Sequence, residues 1–180
     1  MMIKKYAKTV GDITSTQDLI TFFHDENIQN IVHEMHMRDA PAAGVIDRSG
    51  QFIGMITERE IVRRLFGAAA DVTEKMEMLN DEEKKRSTTA WDVMIVCPDC
   101  LHPSDTIETA LEFMTTHGYR YMPVSPDRGR LDGIIDIQAL HQHHQAKINS
   151  LMAHKDSLLS YFSYPELYGG AGGYLTETHD

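Results

Sequence analysis

The chain contains an internal repeat. Residues 54–61, with the sequence GMITEREI, return 79 positions later as residues 133–140, with the sequence GIIDIQAL. The same offset aligns Met35 with Met114. An offset that holds across many apolar positions without an insertion marks a duplicated unit. The chain is therefore expected to fold as two similar lobes that pack together.

The two copies differ at positions that carry polar chemistry. Thr57 and Glu60 of the first copy stand where the second copy has Asp136 and Ala139. A hydroxyl group and a carboxylate form hydrogen bonds, whereas a methyl group forms none. These are the positions at which we expect function to be decided.

Composition excludes several classes of protein. The 180 residues include 17 Lys and Arg against 27 Asp and Glu, and this net charge of -10 disfavours nucleic acid as a partner. No stretch approaches the roughly 20 apolar residues of a membrane span, and no signal peptide is recognised. Two cysteines do not make a disulfide scaffold. We expect a cytoplasmic protein that contacts neither membrane nor nucleic acid.

The first copy shows a helix, a hairpin and a second helix. Apolar residues at helical spacing predict a helix over residues 27–37. The β-rich runs 43–47 and 51–56 are separated by a short turn sequence and predict a hairpin. A second helix is predicted over residues 58–66, with Gly67 as its end.

The second copy repeats this order. Its predicted elements are a helix over residues 104–117, strands over 121–125 and 131–135, and a helix from Ile137. A short strand enters each copy, so each unit is β-α-β-β-α and the fold class is α/β, more specifically α+β. Beyond the second copy, apolar residues keep a helical spacing that extends the final helix or starts another: Ile148, Leu151, Met152, Leu158, Leu159 and Phe162.

The predicted divisions of the chain follow from these patterns. They are residues 9–67 for the first repeat, 68–89 for an exposed connector, 90–145 for the second repeat, 146–163 for a C-terminal helix, and 164–180 for a flexible tail rich in Gly and Tyr. The apolar stripe of the C-terminal helix needs a cover, which is either its own module or another subunit.

Several stretches together resemble a known family. They are residues 43–60 in the first copy, and residues 118–124 and 133–136 in the second. The pattern over residues 9–145 is similar to paired cystathionine-β-synthase (CBS) domains, the regulatory unit called a Bateman module. The resemblance implies two repeats that pack sheet to sheet around a pseudo-twofold axis and leave two clefts that hold adenosine nucleotides.

The resemblance also implies roles for individual residues. Thr57 matches the family threonine that contacts phosphate or ribose, and Glu60 stands where the family has an aspartate that binds the ribose diol. A hydroxyl at a helix N-terminus lies among unpaired N–H groups, where an anion is favoured. Arg59, two residues after the threonine, offers charge to a phosphate.

Each copy keeps one half of the family motif. The first copy departs from the adenine-facing half around Ala43 and Gly44, whereas in the second copy Asp136 and Ala139 replace the polar residues. We therefore expect at most one conventional site, in the cleft of the first repeat. The predicted site residues are Thr57, Arg59, Glu60, Ala43, Gly44, Gly118, Tyr119, Arg120, Tyr121, Pro123 and Asp136.

Other interpretations of these residues stay open. Thr57 and Glu60 have the spacing of a capping box, and Asp136 is a good N-cap by itself. Arg59 on a helix of an acidic protein is also a typical solvent-facing residue. Capping alone and capping combined with ligand binding are both compatible with the sequence.

A Cys-Pro-Asp-Cys segment suggests a third chemistry. Cys97 and Cys100 have the spacing of a redox dithiol or half of a metal site, with His102 beside them. A second ligand pair would come from His141 and His144, which share a helical face. Two ordinary loop cysteines explain the same residues.

No catalytic motif for nucleophile, phosphate loop or metalloprotease occurs in the chain. The sequence thus predicts a non-catalytic regulatory module that requires no cofactor and senses AMP, ADP, ATP, S-adenosylmethionine or a dinucleotide. We also expect a homodimer and a protein target. The alternatives are a ligand-free structural or dimerisation module with degenerate clefts, and a metal or redox sensor.

Overall fold

The described part of the chain covers residues 7–14, 19–67 and 87–163 of a computed structural model. The predicted tail over residues 164–180 lies outside these residues, as does most of the predicted connector. The helices are α1 (Ile28–Met37), α2 (Glu58–Phe66), α3 (Ala90–Val93), α4 (Ile107–His117) and α5 (Ile137–Ser163). The strands are β1 (Thr21–Phe23), β2 (Ala42–Ile46), β3 (Phe52–Thr57), β4 (Ile95–Val96), β5 (Tyr121–Val124) and β6 (Gly133–Asp136).

Local signals set the helix ends. The side chain of Asn27 accepts a hydrogen bond from the Gln29 amide and caps α1. Thr106 caps α4 in the same way, so the helix predicted from residue 104 begins later, at Ile107. Gly67 ends α2 with a φ of 68°, a backbone angle that residues other than glycine rarely adopt.

The strands form two sheets. The first sheet has the order β1-β2-β3-β4, in which β1 pairs with β2 in parallel and the other pairs are antiparallel. The second sheet is the antiparallel pair β5-β6. Leu101 makes a parallel bridge to Val124 of β5. In the second repeat Leu101 thus occupies the position that β1 occupies beside β2 in the first repeat. Contact between β2 and β6 joins the two sheets.

Each repeat packs its leading segment onto the other repeat. The Val10 amide donates to Asp105 O at 2.8 Å, and the Ala90 amide donates to Glu26 O at 2.9 Å. At Gly11 a Cβ atom would lie 2.9 Å from Pro103 O, so only glycine fits that close approach. The segment that opens the first repeat therefore lies on the second repeat, and the segment that opens the second repeat lies on the first.

The hydrophobic cores show the same exchange. Residues of α3 complete the core of the first repeat, and Val10 completes the core of the second. The first core consists of Ile20, Ile28, Ile31, Met35, Ala43, Val45, Ile56, Ile61, Ala90, Val93 and Met94. The second consists of Val10, Leu101, Ile107, Ala110, Leu111, Met114, Met122, Val124, Ile135 and Leu140. Since each core needs a segment from the other repeat, neither copy completes its core alone.

The chain divides into two compact units, the first ending at His143 and the second beginning at His144. The described residues of the second unit are helical and belong to α5, so the apolar spacing extends the final helix. The predicted α+β fold of two β-α-β-β-α repeats with a C-terminal helical extension is confirmed. None of the helices in the described ranges has the length and apolar character needed to cross a bilayer.

Candidate functional site

A cavity of about 560 Å³ lies in the first unit and takes its walls from both repeats. This volume is within the range of about 300–1,000 Å³ that is typical of small-molecule sites. Its lining is Pro41, Met55, Thr57, Glu58, Arg59, Glu60, Arg63, Ile95, Pro98, Asp99, His117, Gly118, Tyr119, Arg120, Tyr121, Met122 and Pro123.

The first repeat contributes the N-terminus of α2. Thr57 is the last residue of β3, where it pairs with Ala42, and it is only 9% exposed. Its Oγ1 accepts a hydrogen bond of 3.2 Å from the Glu60 amide, which confirms the predicted cap. The helix begins at Glu58, so its positive dipole end opens into the cavity.

Glu60 does not complete the capping box. Its Oε2 accepts from Arg63 Nε at 3.0 Å and from Arg63 Nη2 at 2.7 Å, and Arg64 Nε lies 3.9 Å away. The Glu60 side chain is only 12% exposed, so this carboxylate is largely withdrawn from water. The arginine contacts use one oxygen and leave Oε1 without a partner among the described residues.

Two guanidinium groups of the cavity form no ion pair with a carboxylate of the described residues. Arg59 makes no ion pair or hydrogen bond to another described residue, and Arg120 lies over the ring of Tyr121 at 5.1 Å. One group comes from each repeat. The lining as a whole is balanced, because Arg59, Arg63 and Arg120 are matched in number by Glu58, Glu60 and Asp99. Attraction for an anion is therefore confined to the Arg59 and Arg120 guanidinium groups and to the N-terminus of α2.

The second repeat contributes a turn and a strand edge. Gly118 ends α4 in the left-handed conformation and directs the chain into β5. Arg120 O accepts from the Ile137 amide beside β6, whereas Pro123 O accepts from Leu101 on the other side. Because these directions alternate along a strand, the amide and carbonyl of Tyr121 project from the edge that faces away from β6.

The floor of the cavity is apolar. Met55 and Met122 are 4% and 1% exposed and come from β3 of the first repeat and β5 of the second. Pro41, Ile95 and Pro123 complete this surface. A flat apolar ring system can be buried against such a floor while its polar edge meets the strand backbone.

One wall of the cavity contains residues that were not predicted from the sequence. Pro98 and Asp99 line the cavity, although their segment was considered only for its two cysteines. The Tyr119 hydroxyl donates to Asp99 Oδ2 at 3.0 Å, and this hydrogen bond raises the pKa of Tyr119. The Tyr119 ring also stacks on His117, with 5.7 Å between centroids. The sequence signal that could have found this wall was the short strand predicted at the entry of the second repeat. An entry strand lies beside the first strand of the hairpin, as β1 lies beside β2.

Most of the predicted site residues meet in this cavity. It brings together Thr57, Arg59, Glu60, Gly118, Tyr119, Arg120, Tyr121 and Pro123. The other three lie outside the lining. Ala43 and Gly44 are buried in β2, where a Cβ atom on Gly44 would lie 2.3 Å from Leu131 Cδ2. Asp136 accepts from the Gln138 amide at 2.9 Å, which confirms it as the cap of α5.

Burial, followed by the charge of Asp136, raises the pKa of Tyr121. The tyrosine therefore stays neutral at physiological pH. Its ring lies under the Arg120 guanidinium and its backbone forms part of the cavity wall. Asp136, at the second strand-to-helix junction, thus lies near Tyr121 without itself lining the cavity.

The cysteine segment does not form a metal cluster in the described residues. Cys97 is exposed, and burial raises the pKa of Cys100, whose Sγ lies 3.4 Å from Pro98 O. His102 Nδ1 is engaged by Ser104 Oγ at 2.6 Å. Across residues 7–14, 19–67 and 87–163 no three His, Cys, Asp or Glu side chains are grouped as metal ligands.

Comparison with known proteins identifies the family. The model of the CBS domain matches residues 10–67 and 90–143. The chain belongs to the CBS domain family. Because the match occurs twice, the predicted tandem arrangement of CBS domains is confirmed.

One curated relative of this CBS-pair chain is an uncharacterized protein of Methanopyrus kandleri, which is 25% identical over 134 residues. The match covers 74% of this chain and 61% of that protein. The chain therefore spans less than two thirds of that relative.

Solved structures show the same fold. CBSX2, a CBS-pair protein of Arabidopsis thaliana solved in complex with AMP, is 18% identical with a TM-score of 0.62. The match covers 78% of this chain and 98% of that one. The cytosolic domain of the Mg2+ channel MgtE in complex with ATP is 14% identical with a TM-score of 0.56. That match covers 76% of this chain and 49% of the MgtE chain.

Proposed function

We propose that this chain is a regulatory module that binds an adenosyl ligand in the cavity between its two CBS repeats, without catalysing a reaction. The observation that carries the proposal is that one cavity collects the two halves of the motif that this chain retains, Thr57 to Glu60 from the first repeat and Gly118 to Pro123 from the second. The ligands considered are AMP, ADP, ATP, S-adenosylmethionine and dinucleotides.

The phosphate end of the ligand lies at the start of α2. The Glu58 amide donates to Pro41 O and the Glu60 amide to Thr57 Oγ1, so the Thr57 hydroxyl and the Arg59 amide remain for a phosphate, where the helix dipole favours negative charge. Arg59 at the same end has no acidic partner among the described residues. A phosphate placed here gains charge-assisted hydrogen bonds, which are stronger than neutral ones.

The ribose lies beside Glu60. Its Oε1 is available to accept from the ribose hydroxyls while Arg63 holds Oε2. The longer glutamate thus takes the role that the family gives to an aspartate, with an arginine fixing its position.

The base lies on the apolar floor between Met55 and Met122. The backbone edge of Tyr121 supplies one donor and one acceptor for its polar edge. Nucleotide complexes of CBS-pair proteins, CBSX2 with AMP and the MgtE domain with ATP, support this class of ligand.

Ligand binding regulates by bridging the repeats. Contacts to α2 and β5 at once favour the arrangement of the repeats that brings both walls to the ligand. The target of this regulation is a protein that reads the arrangement, and the module acts as a cytoplasmic homodimer.

Thermal shift and calorimetry against AMP, ADP, ATP and S-adenosylmethionine test the proposal. A ligand at 100 times its Kd stabilises the fold by about 2.7 kcal/mol, so binding raises Tm. Glu60→Ala should weaken binding, and the matched change Ala139→Asp at the equivalent position outside the cavity should not. No response to any ligand at millimolar concentration would refute the sensor function.

The second unit supports a different candidate function. Leu151, Met152, Leu158 and Leu159 on α5 are 46–62% exposed, an arrangement typical of a helix that pairs with another chain. A structural dimerisation module would respond to none of the nucleotides. It would instead lose its dimer, measured by light scattering, on Leu151→Asp with Leu158→Asp.

A further inference from the structure

Three carboxylates line the cavity, and the proposed function gives a role to Glu60 but none to Glu58 or Asp99. Asp99 lies in the lining, and its Oδ2 accepts from the Tyr119 hydroxyl at 3.0 Å. Its Oδ1 has no hydrogen-bond partner among the described residues. A carboxylate near an anionic ligand is unfavourable unless it meets a donor on that ligand.

The position of Asp99 shows which part of the ligand it meets. Leu101 bridges Val124 in parallel, and its amide donates to Pro123 O at 2.9 Å. Tyr119, whose hydroxyl contacts Asp99, lies two residues before the start of β5. Together with the Leu101 bridge, this contact places Asp99 near the start of β5, whose outer edge carries the Tyr121 amide and carbonyl.

The phosphate-binding groups lie elsewhere in the cavity. Thr57, Arg59 and Glu60 surround the N-terminus of α2, in the first repeat, whereas Asp99 and Tyr119 belong to the second-repeat wall. The N-terminus of α2 and the Arg59 guanidinium thus lie on the first-repeat wall, and the Asp99 carboxylate and the Tyr121 carbonyl lie on the second-repeat wall. A nucleotide satisfies both when its base lies against the second wall.

We propose that Asp99 selects the base of the ligand by accepting a hydrogen bond from the exocyclic amine of a 6-aminopurine. The Tyr121 carbonyl accepts the second hydrogen of that amine, and the Tyr121 amide donates to the neighbouring ring nitrogen. This inference rests on the proposed function and adds the base preference to it.

The chemistry of purines makes the selection sharp. An amine at C6 has two hydrogens and needs two acceptors, which Asp99 and the Tyr121 carbonyl supply. A 6-oxopurine such as hypoxanthine places a carbonyl oxygen at that point, where three acceptors would face one another. Leaving polar groups unpaired in a binding site is what rejects the wrong ligand.

The test compares three nucleotides by calorimetry on the full chain: AMP, IMP and purine riboside 5′-monophosphate, which has no substituent at C6. AMP should bind at least about tenfold more tightly than IMP, with the unsubstituted purine between them. In Asp99→Asn the new amide donates to the oxygen of IMP, so the ratio of the two affinities should fall about tenfold.

Two further variants separate selection from general damage. Tyr119→Phe removes the hydroxyl that positions Asp99 and should lower the AMP to IMP ratio less than Asp99→Asn does. Glu34→Gln removes an exposed carboxylate on α1 that pairs with Arg38, away from the cavity, and should leave the ratio unchanged.

The outcomes distinguish the two proposals. If AMP binds the wild-type chain but IMP binds equally well, or if Asp99→Asn leaves their ratio unchanged, the role of Asp99 is refuted and the nucleotide-binding function stands. If no nucleotide binds the wild-type chain, the proposed function fails and the base selection fails with it.

Discussion

The two strand-to-helix junctions occupy equivalent positions in the two repeats, but their chemistry differs. Thr57 joins β3 to α2 and accepts from the Glu60 amide at 3.2 Å, and Asp136 joins β6 to α5 and accepts from the Gln138 amide at 2.9 Å. Both residues cap their helices. Only the first junction lines the cavity.

This difference separates what folding requires from what binding requires. A helix N-terminus needs a side-chain oxygen, and either a hydroxyl or a carboxylate provides it. An anion at the same place needs the positive end of the helix to remain available, which a neutral threonine allows and a carboxylate opposes. Both copies therefore have a capping side chain at this junction, but only the first copy has an uncharged one.

Converting the first junction into the second should have the largest effect. Thr57→Asp keeps the cap but puts a negative charge beside the phosphate, so the affinity for AMP should fall about a hundredfold, because like charges in contact cost several kcal/mol. Calorimetry gives the affinity, and thermal melting without ligand should give a nearly unchanged Tm. Unchanged affinity would mean that the phosphate does not lie at this helix.

Removing positive charge from the first junction should have an intermediate effect. Arg59→Ala should weaken AMP binding about tenfold because a charge-assisted hydrogen bond is lost. Arg64→Ala is the matched control, since Arg64 lies on the same helix but outside the lining. Equal losses in the two variants would assign the effect to the general charge of α2 and contradict a specific role for Arg59.

Removing either cap should have the smallest effect and the same one in both repeats. Thr57→Ala and Asp136→Ala should each lower the free energy of unfolding by about 1 kcal/mol, measured by urea denaturation. Thr57→Ala should also weaken AMP binding, whereas Asp136→Ala should not. A cap that matters at only one junction would show that the two junctions are not structurally equivalent.

Helices and strands with strong local signals could be predicted from the sequence. The end of α2 at Gly67 and the hairpin of β2 and β3 follow from residues close in the chain. The start of α4 was predicted too early, because the oxygen that caps this helix belongs to Thr106. Asp105, just before it, instead accepts from the His102 amide. Locally encoded elements were recovered because their hydrogen bonds and caps are made within a few residues.

The site could be predicted only in part. The complementary halves of the motif pointed to Thr57 and Tyr121, and both line the cavity. Asp99 was missed, because its place in the wall depends on a bridge between Leu101 and Val124. Gly44 was predicted as a site residue, but Leu131 packs against it from the second repeat. These contacts join residues that are distant in the chain.

The sequence by itself determined the duplicated β-α-β-β-α unit, because apolar periodicity and caps are local properties that each copy carries. Only the tertiary structure decided that the leading segments cross over, with Val10 completing one core and Ala90 the other. It also decided that two incomplete motif halves face one cavity. The reason is physical: which buried surfaces meet depends on the shape of the whole core, and no short stretch of sequence contains that information.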